Sequence, residues 1–244
     1  MRNIKLTLEY DGARFFGFQR QPGKRTVQSE LGKAFRQIFR TRIKIGSAAG
    51  RTDAGVHAKG QVVHFKVDSV IPLANIRRAF NTYLPEDLAV VKCEAVSLDF
   101  HARFWAKSKT YEYVVFNSRI RSPLIRHRSY HFPHPLNLSL MQRAAGLLIG
   151  RHDFRSFQAK AGGRNSIRTV RRLNISRKGS KVLFLIEGDG FLYNMVRAVV
   201  GTLLLVGTGR INLARFRKII KSKNRSHVGP TLPPRGLTLL EVNY

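Results

Sequence analysis

The stretch Ile4-Lys-Leu-Thr-Leu-Glu9 alternates apolar and polar side chains, which is typical of a β-strand with one buried face. Downstream, Thr26 is a candidate N-cap for an amphipathic helix that runs to about Arg40. The patterns that follow predict two strands, a second helix that begins at Pro72, and a last strand. The predicted elements have the order βαββαβ and cover residues 4–9, 26–40, 43–48, 61–67, 72–83 and 88–96.

The second half of the chain repeats this order, with a basic helix at residues 213–221 added before the last strand. Residues 110–116 are rich in β-branched and aromatic side chains and therefore predict a strand. A long connection rich in Arg, His and Pro separates this strand from a helix that ends at Gly150. Lys178-Gly-Ser180 is a hairpin signal between two further strands, and an apolar helix begins at Phe191. The predicted elements cover residues 110–116, 139–149, 170–177, 181–187, 191–206, 213–221 and 237–242.

Two βαββαβ halves predict an α+β protein with a mainly antiparallel sheet, in the manner of RRM or ferredoxin-like domains. Hydrophobic residues make up 43% of the chain, which is enough for an ordinary packed core. We expect the boundary near residues 100–109, so that the N-terminal half covers residues 1–104 and the C-terminal half residues 105–244.

The chain is strongly basic, with 44 Lys and Arg against 14 Asp and Glu and a net charge of +30. A folded protein that carries such charge along its whole length predicts a polyanionic partner, with nucleic acid as the leading candidate. The most apolar stretch, residues 191–206, is shorter than the ~20 residues of a membrane span. Because the N-terminus also lacks the apolar core of a signal peptide, we expect a cytoplasmic protein without a membrane segment. A single cysteine, Cys93, excludes an intrachain disulfide and a cysteine-based zinc site.

Among the few acidic residues, Asp53 is the most conspicuous candidate for chemistry. It lies in the stretch Ala49-Gly-Arg-Thr-Asp-Ala-Gly-Val-His-Ala58, between two predicted strands. Gly50 and Gly55 allow an unusual backbone path there. Two interpretations stay open from the residues alone: an Asx-type turn that satisfies backbone N–H groups, and a catalytic carboxylate held between rigid strands.

Arg197 and Tyr111 are two further candidates, each with a simpler alternative. Arg197 lies in an apolar helix, where it either extends to solvent at the helix edge or pairs with a carboxylate and keeps it ionised. Tyr111 shares one strand face with Tyr113 and Val115, so it either packs in the core or stacks on a nucleobase.

Other chemistries lack the residues they need. The chain has no Walker A loop, no convincing Gly-rich dinucleotide motif, no Gly-x-Ser-x-Gly elbow and no cysteine nucleophile motif. Pro133 separates the one close histidine pair, so a metal site is not expected. The residues leave open an enzyme that acts on nucleic acid through a carboxylate and a non-catalytic RNA-binding or ribosome-associated protein built from two RRM-like units. A tRNA methyltransferase is a weaker third option, because no clear S-adenosylmethionine loop is present.

The stretch Gly50-Arg-Thr-Asp-Ala-Gly-Val-His-Ala58 resembles the signature of the TruA family of tRNA pseudouridine synthases. Further matches follow in the same order and spacing, so that the resemblance covers essentially the whole chain. These matches lie at residues 10–19, 60–65, 100–104, 109–111, 152–154, 190–197 and 236–244.

The resemblance implies the pseudouridine synthase fold, with two RRM-like halves around a sheet-lined basic cleft. It implies an isomerase that converts uridines 38, 39 and 40 in the anticodon arm of tRNA to pseudouridine. It also implies that the enzyme is a homodimer and uses no cofactor and no metal.

The resemblance also implies roles for particular residues. Asp53 is expected to be the catalytic aspartate, Arg197 its charged partner, and Tyr111 the aromatic that contacts the target uracil. Arg51 is expected to hold the flipped-out nucleotide. The residues expected to contact the tRNA are Phe100, His101, Ala102, Arg103, Phe104 and Arg164.

This chain departs from the family pattern in two places. Asn194 stands where family members often carry His, and residues 230–236 are more basic than expected. Neither departure is expected to touch the chemistry, although the second is expected to alter RNA contacts.

Overall fold

The structure, a computed structural model, describes residues 1–40, 48–159 and 165–244. These residues form two compact units. The first consists of Met1–Lys107 and Thr238–Tyr244, and the second of Ser108–Leu237. The division at residues 104 and 105 stays a prediction about domains. The structure adds that the last strand of the chain packs within the first unit.

The first unit is built on an antiparallel pair, β1 and β2, with β3 on the other edge of β1 and β9 parallel to β2. Its sheet order is β3-β1-β2-β9. Its elements are β1 (Arg2–Tyr10), α1 (Val27–Phe39), β2 (His57–Val67), α2 (Leu73–Tyr83), β3 (Leu88–Val96) and β9 (Leu237–Asn243), of which Leu237 is assigned to the second unit.

The helices of the first unit begin and pack as their sequences predict. Thr26 caps α1: its hydroxyl accepts from the Ser29 N–H, and the Ser29 hydroxyl accepts from the Thr26 N–H in return. The buried face of α1 brings Phe35 edge-on to Phe65 of β2 and Phe80 of α2, with ring centroids 4.5 and 4.9 Å apart. The strand predicted at residues 43–48 falls almost wholly outside the described residues.

The second unit has the strand order β4-β8-β7-β6, with all three pairs antiparallel, and β5 lies parallel to β4. The hairpin predicted at Gly179 is confirmed, because Lys178 pairs with Lys181 across it. The elements of the second unit are β4 (Ser108–Asn117), β5 (Tyr130–Phe132), α3 (Leu138–Gly146), β6 (Gly150–Asp153), β7 (Ile167–Lys178), β8 (Lys181–Gly188), α4 (Met195–Gly207) and α5 (Leu213–Ser222).

Helix α4 starts four residues later than the apolar pattern predicts. The helix begins at Met195 because Asn194 adopts a left-handed backbone conformation, with φ of 60°, which an α-helix cannot contain. Most residues of α4 are buried, as expected for a core helix. In the described part of the chain, no helix is both long and apolar enough to cross a bilayer.

Candidate active site

Asp53 lies half-buried in an irregular loop that leads directly into β2. A tight turn follows it, because the Val56 N–H donates to the Asp53 carbonyl at 3.2 Å. Gly55, within this turn, has a φ of 78°, a conformation that L side chains rarely adopt. The glycine is therefore required by the backbone path and not only tolerated.

The segment that follows β1 packs against the Asp53 loop and is hydrogen-bonded to its backbone. The Phe18 N–H donates to the Thr52 carbonyl at 3.0 Å, and the Gly55 N–H donates to the Phe15 carbonyl at 3.2 Å. Gly17 has a φ of 86°, and a Cβ at this position would lie 2.8 Å from the Thr52 oxygen and 3.2 Å from the Asp53 carbonyl carbon. Backbone therefore lies against backbone next to Asp53, and a side chain at residue 17 would separate the two segments.

Buried side chains hold the loop from the direction of the sheet. The Tyr10 hydroxyl, at the end of β1, lies 2.7 Å from Thr52 Oγ1. Gln61 Nε2, in β2, donates to the Gly50 carbonyl at 2.7 Å and lies 3.5 Å from the Tyr10 hydroxyl. Burial raises the pKa of Tyr10 to about 12, so its hydroxyl keeps its proton at neutral pH. The residues on either side of Arg51 are thus fixed by buried polar contacts.

The far end of the loop is anchored through His57, the first residue of β2. The Gly12 N–H donates to His57 Nδ1 at 3.1 Å, and Asp11 Oδ1 lies 3.0 Å from the same ring nitrogen. Asp11 also accepts from the Ala13 N–H at 3.0 Å and caps a short 3₁₀ turn. Asp11 therefore serves both the turn that follows β1 and the anchoring of His57.

The predicted RNA-contacting segment, residues 100–104, divides into buried and exposed positions. Phe100 and Ala102 are buried, and the Ala102 N–H donates to His64 Nδ1 at 3.3 Å. Arg103 and Phe104 lie at the surface, where the Phe104 ring is 76% exposed. The His101 ring stacks on Phe104, with centroids 4.3 Å apart and planes 25° apart. Arg51, in the Asp53 loop, is exposed as well.

In the second unit, Tyr111 lies in β4 opposite Ile186 of β8. It is 8% exposed, and Phe191 meets it edge-on with ring centroids 5.2 Å apart. The strand alternation predicted for residues 111, 113 and 115 is confirmed, because all three side chains are buried. Tyr113 is fully buried and donates to the Pro233 carbonyl at 2.7 Å, and burial raises its pKa far above the usual range.

Arg197 is half-buried near the start of α4, and hydrogen bonds hold its guanidinium. Nε donates to the Leu232 carbonyl and Nη1 donates to Asn194 Oδ1, both at 2.6 Å. Both family departures lie against Arg197, since Asn194 and Leu232 of the 230–236 segment bind its guanidinium. Whether they touch the chemistry stays a prediction. Asn suits residue 194 because it tolerates the left-handed conformation found there.

The candidate residues are divided between the two units. The first unit contains Asp53, Arg51 and residues 100–104, and the second contains Tyr111 and Arg197. Arg164 lies outside the described residues. Sequence reasoning missed Tyr10, Gly17 and Gln61 as supports of the Asp53 loop, because no local pattern shows which distant groups they contact. Over the described ranges, no group of three or more His, Cys, Asp or Glu residues is arranged to hold a metal ion.

Comparison with known proteins identifies the family. The pattern of the tRNA pseudouridine synthase family matches residues 7–105 and 144–244, which is most of the chain. The chain belongs to the tRNA pseudouridine synthase family. Enzymes of this family are isomerases that convert uridine in tRNA to pseudouridine, so the alternatives of a methyltransferase and of a non-catalytic RNA-binding protein are wrong. The α+β pseudouridine synthase fold expected from the resemblance is confirmed.

Two tRNA pseudouridine synthases illustrate how far the similarity extends. The chain is 43% identical over 245 residues to tRNA pseudouridine synthase A of Acetivibrio thermocellus. It is 41% identical over 245 residues to tRNA pseudouridine synthase A 2 of Clostridium perfringens, and both alignments cover 100% of each chain. A crystal structure of a Cbf5-Nop10-Gar1 complex aligns with a TM-score of 0.38 and 12% identity, over 93% of this chain and 60% of that chain.

Proposed function

We propose that Asp53 is the catalytic carboxylate of this tRNA pseudouridine synthase and that its targets are uridines 38, 39 and 40 of the anticodon arm. One observation carries the assignment. Asp53 is a half-buried carboxylate on a glycine-flanked loop whose backbone is fixed from both sides by hydrogen bonds. Rigid placement of this kind is what a reacting group needs.

The reaction breaks the bond between N1 of uracil and C1′ of ribose and forms a bond between C5 and C1′. A proton leaves C5 and N1 gains one, so the base keeps its composition and no redox cofactor is required. An ionised Asp53 acts on the ribose in one of two ways, by attack at C1′ or by removal of a ribose proton. Both ways require the carboxylate to be charged at neutral pH.

Tyr111 and Arg197 complete the proposed chemistry. Arg197 provides positive charge, which favours the ionised form of a carboxylate. The target nucleotide must leave the helical stack, and contact with the Tyr111 ring offsets part of that cost. The edge-on contact with Phe191 limits the rotation of the Tyr111 ring and supports this role. Arg51 holds the flipped-out nucleotide.

The remaining features of the proposal concern the partner and the setting. Arg103 and Phe104, which are exposed, combine a cation with an accessible aromatic ring and suit contact with RNA. Phe100, His101 and Ala102 shape this segment, and Arg164 belongs to the same RNA-contacting set. We expect the enzyme to act as a homodimer, in the cytoplasm, without a metal ion.

The test is tritium release from tRNA that carries [5-³H]uridine. Asp53→Asn is expected to abolish release while tRNA binding, measured by titration, largely survives, because the substitution removes the charge and keeps the size of the side chain. Asp68→Asn removes an exposed carboxylate of the same unit and is the matched control, with release expected at the normal rate. Normal release from Asp53→Asn would eliminate Asp53 as the catalyst.

A further inference from the structure

The Asp53 loop is held by two buried side chains to which the proposed chemistry assigns no role. Tyr10 is the last residue of β1 and is paired with Ala58, near the start of β2. This pairing brings the Tyr10 side chain next to the Asp53 loop, which leads into β2. This hydroxyl meets Thr52 Oγ1, one residue before Asp53, at 2.7 Å. Gln61 reaches the Gly50 carbonyl, three residues before Asp53, at 2.7 Å.

We propose that Tyr10, acting through Thr52 and supported by Gln61, is a positioning residue that sets the location of the Asp53 carboxylate. The inference rests on the proposed function, in which Asp53 is the catalytic group. Tyr10 does not contact substrate in this proposal. Its hydroxyl fixes the Thr52 side chain, and the Thr52 backbone carries Asp53.

Because the contact between Tyr10 and Thr52 is buried, its loss is expected to affect the position of Asp53. Tyr10 and Thr52 are 3% and 6% exposed, and Gln61 is fully buried, so solvent cannot replace their hydrogen bonds. A buried hydroxyl that loses its partner must shift or admit water. The Thr52 backbone is bonded directly to Asp53, so a shift of Thr52 is passed to the carboxylate, and a displacement of about 1 Å at a reacting group costs on the order of a hundredfold in rate.

The packing of the Tyr10 ring is separable from the role of its hydroxyl. The ring meets Phe15 edge-on with centroids 6.2 Å apart, a contact that phenylalanine at residue 10 keeps. Tyr10→Phe therefore removes one oxygen and leaves the apolar contacts in place. Thr52→Val removes the other partner with little change of shape, and Thr52→Ser keeps the hydroxyl.

The measurement is a single-turnover tritium-release assay with enzyme in excess, which yields the maximal rate constant and the half-saturating enzyme concentration separately. Tyr10→Phe and Thr52→Val are each expected to lower the maximal rate constant roughly ten- to a hundredfold with the half-saturating concentration unchanged. Thr52→Ser is expected to retain most of the rate. Gln61→Met, which removes the support at Gly50, is expected to lower the maximal rate constant as well.

A double variant tests whether Tyr10 and Thr52 act through one shared contact. Tyr10→Phe combined with Thr52→Val is expected to be no slower than the slower single variant, because both changes remove the same hydrogen bond. If the two losses multiply, the residues act independently and the inference is wrong. Should Tyr10→Phe fail to fold, the comparison of Thr52→Val with Thr52→Ser tests the inference by itself, and equal rate constants for these two variants would show that it is wrong.

Ser156→Ala controls for the loss of a buried hydroxyl. Ser156, in the second unit, is fully buried and donates to the Ile219 carbonyl at 2.9 Å. This variant is expected to lose a similar amount of thermal stability and to keep the normal maximal rate constant. The inference is overturned if Tyr10→Phe and Thr52→Val keep the normal rate, or if Ser156→Ala loses as much rate as they do.

The same experiment separates this inference from the proposal on which it rests. Tritium release by Asp53→Asn at the normal rate would remove the proposed function, whatever Tyr10→Phe does. An inactive Asp53→Asn beside a fully active Tyr10→Phe would leave the proposed function intact and remove only the positioning role.

Discussion

Single side chains of this protein hold backbone groups as well as one another. Asp11 accepts from the Ala13 N–H, Asn194 accepts from the Arg197 guanidinium, and Arg197 donates to the Leu232 carbonyl. Arg197 is thereby fixed in place by a residue in a left-handed conformation and by a carbonyl 35 residues away in the chain. A charge that is held in this way acts from a defined position, which is what the proposed chemistry asks of it.

The proposed contact of Tyr111 with the target uracil is testable by substitution of that residue. Tyr111→Phe is expected to keep most of the single-turnover rate, because the ring remains. Tyr111→Ala is expected to lower that rate, because about 1–3 kcal/mol of stacking free energy with the base is lost. Tyr83→Ala removes an exposed ring at the end of α2 and is the control for loss of an aromatic. Equal rates for Tyr111→Phe and Tyr111→Ala would contradict a stacking role.

At the scale of elements, the connection between β1 and α1 is as much a part of the site as the Asp53 loop itself. Its backbone donates to the Thr52 carbonyl and accepts from the Gly55 N–H. Thr26 then ends the connection by capping α1, and α1 packs on the sheet through Phe35. The loop is therefore held between a strand end and a segment that is itself tied to the core.

Gly17→Ala tests this packing of segment against loop. The positive φ alone costs about 1–2 kcal/mol, and the added methyl group also lies too close to the Thr52 oxygen. Gly23→Ala is the matched control, because Gly23 also has a positive φ but a Cβ there meets no atom within 4 Å. Gly17→Ala is expected to lower the melting temperature more than Gly23→Ala does. It is also expected to lower the single-turnover rate constant, which Gly23→Ala leaves unchanged. Identical behaviour of the two variants would show that the close approach does not matter.

At the scale of the whole molecule, the net charge of +30 is expected to affect tRNA binding more than the chemical step. Cations spread over both units favour phosphate contacts that position the tRNA without reading its sequence. The proposed chemistry depends on Asp53, one of only 14 acidic residues. Affinity and catalysis are therefore expected to respond differently to salt.

The expected response is a linear fall of the logarithm of tRNA affinity with the logarithm of salt concentration, with a slope of roughly 0.7 to 0.9 per phosphate contact. The maximal single-turnover rate constant is expected to change little, because saturating enzyme compensates for weaker binding. Binding titrations and single-turnover assays over the same salt series check both. The Asp53→Asn variant is expected to show the same slope as the unmodified enzyme. Affinity that does not change with salt would contradict a phosphate-tracking surface.

Patterns that repeat over a few residues were enough to predict much of the architecture. The alternation around Tyr113, the cap at Thr26 and the hairpin at Gly179 are local, because propensity, capping and turn geometry act between neighbours in the chain. The short strands β5 and β6 and the late start of α4 were missed. Their positions depend on pairing partners or on a left-handed residue, neither of which changes the apolar pattern.

Sequence alone therefore determined that this chain is an α+β member of an RNA-modifying family, and it identified Asp53, Tyr111 and Arg197 as the residues to examine. What holds these residues in place was visible only in the folded chain. Tyr10 meets Thr52, Gly17 lies against the Asp53 backbone, and Leu232 holds Arg197, in each case across more than thirty residues of chain. Composition and periodicity record what a residue is next to in the chain, whereas a buried hydrogen bond depends on which distant backbone the fold brings within 3 Å of it.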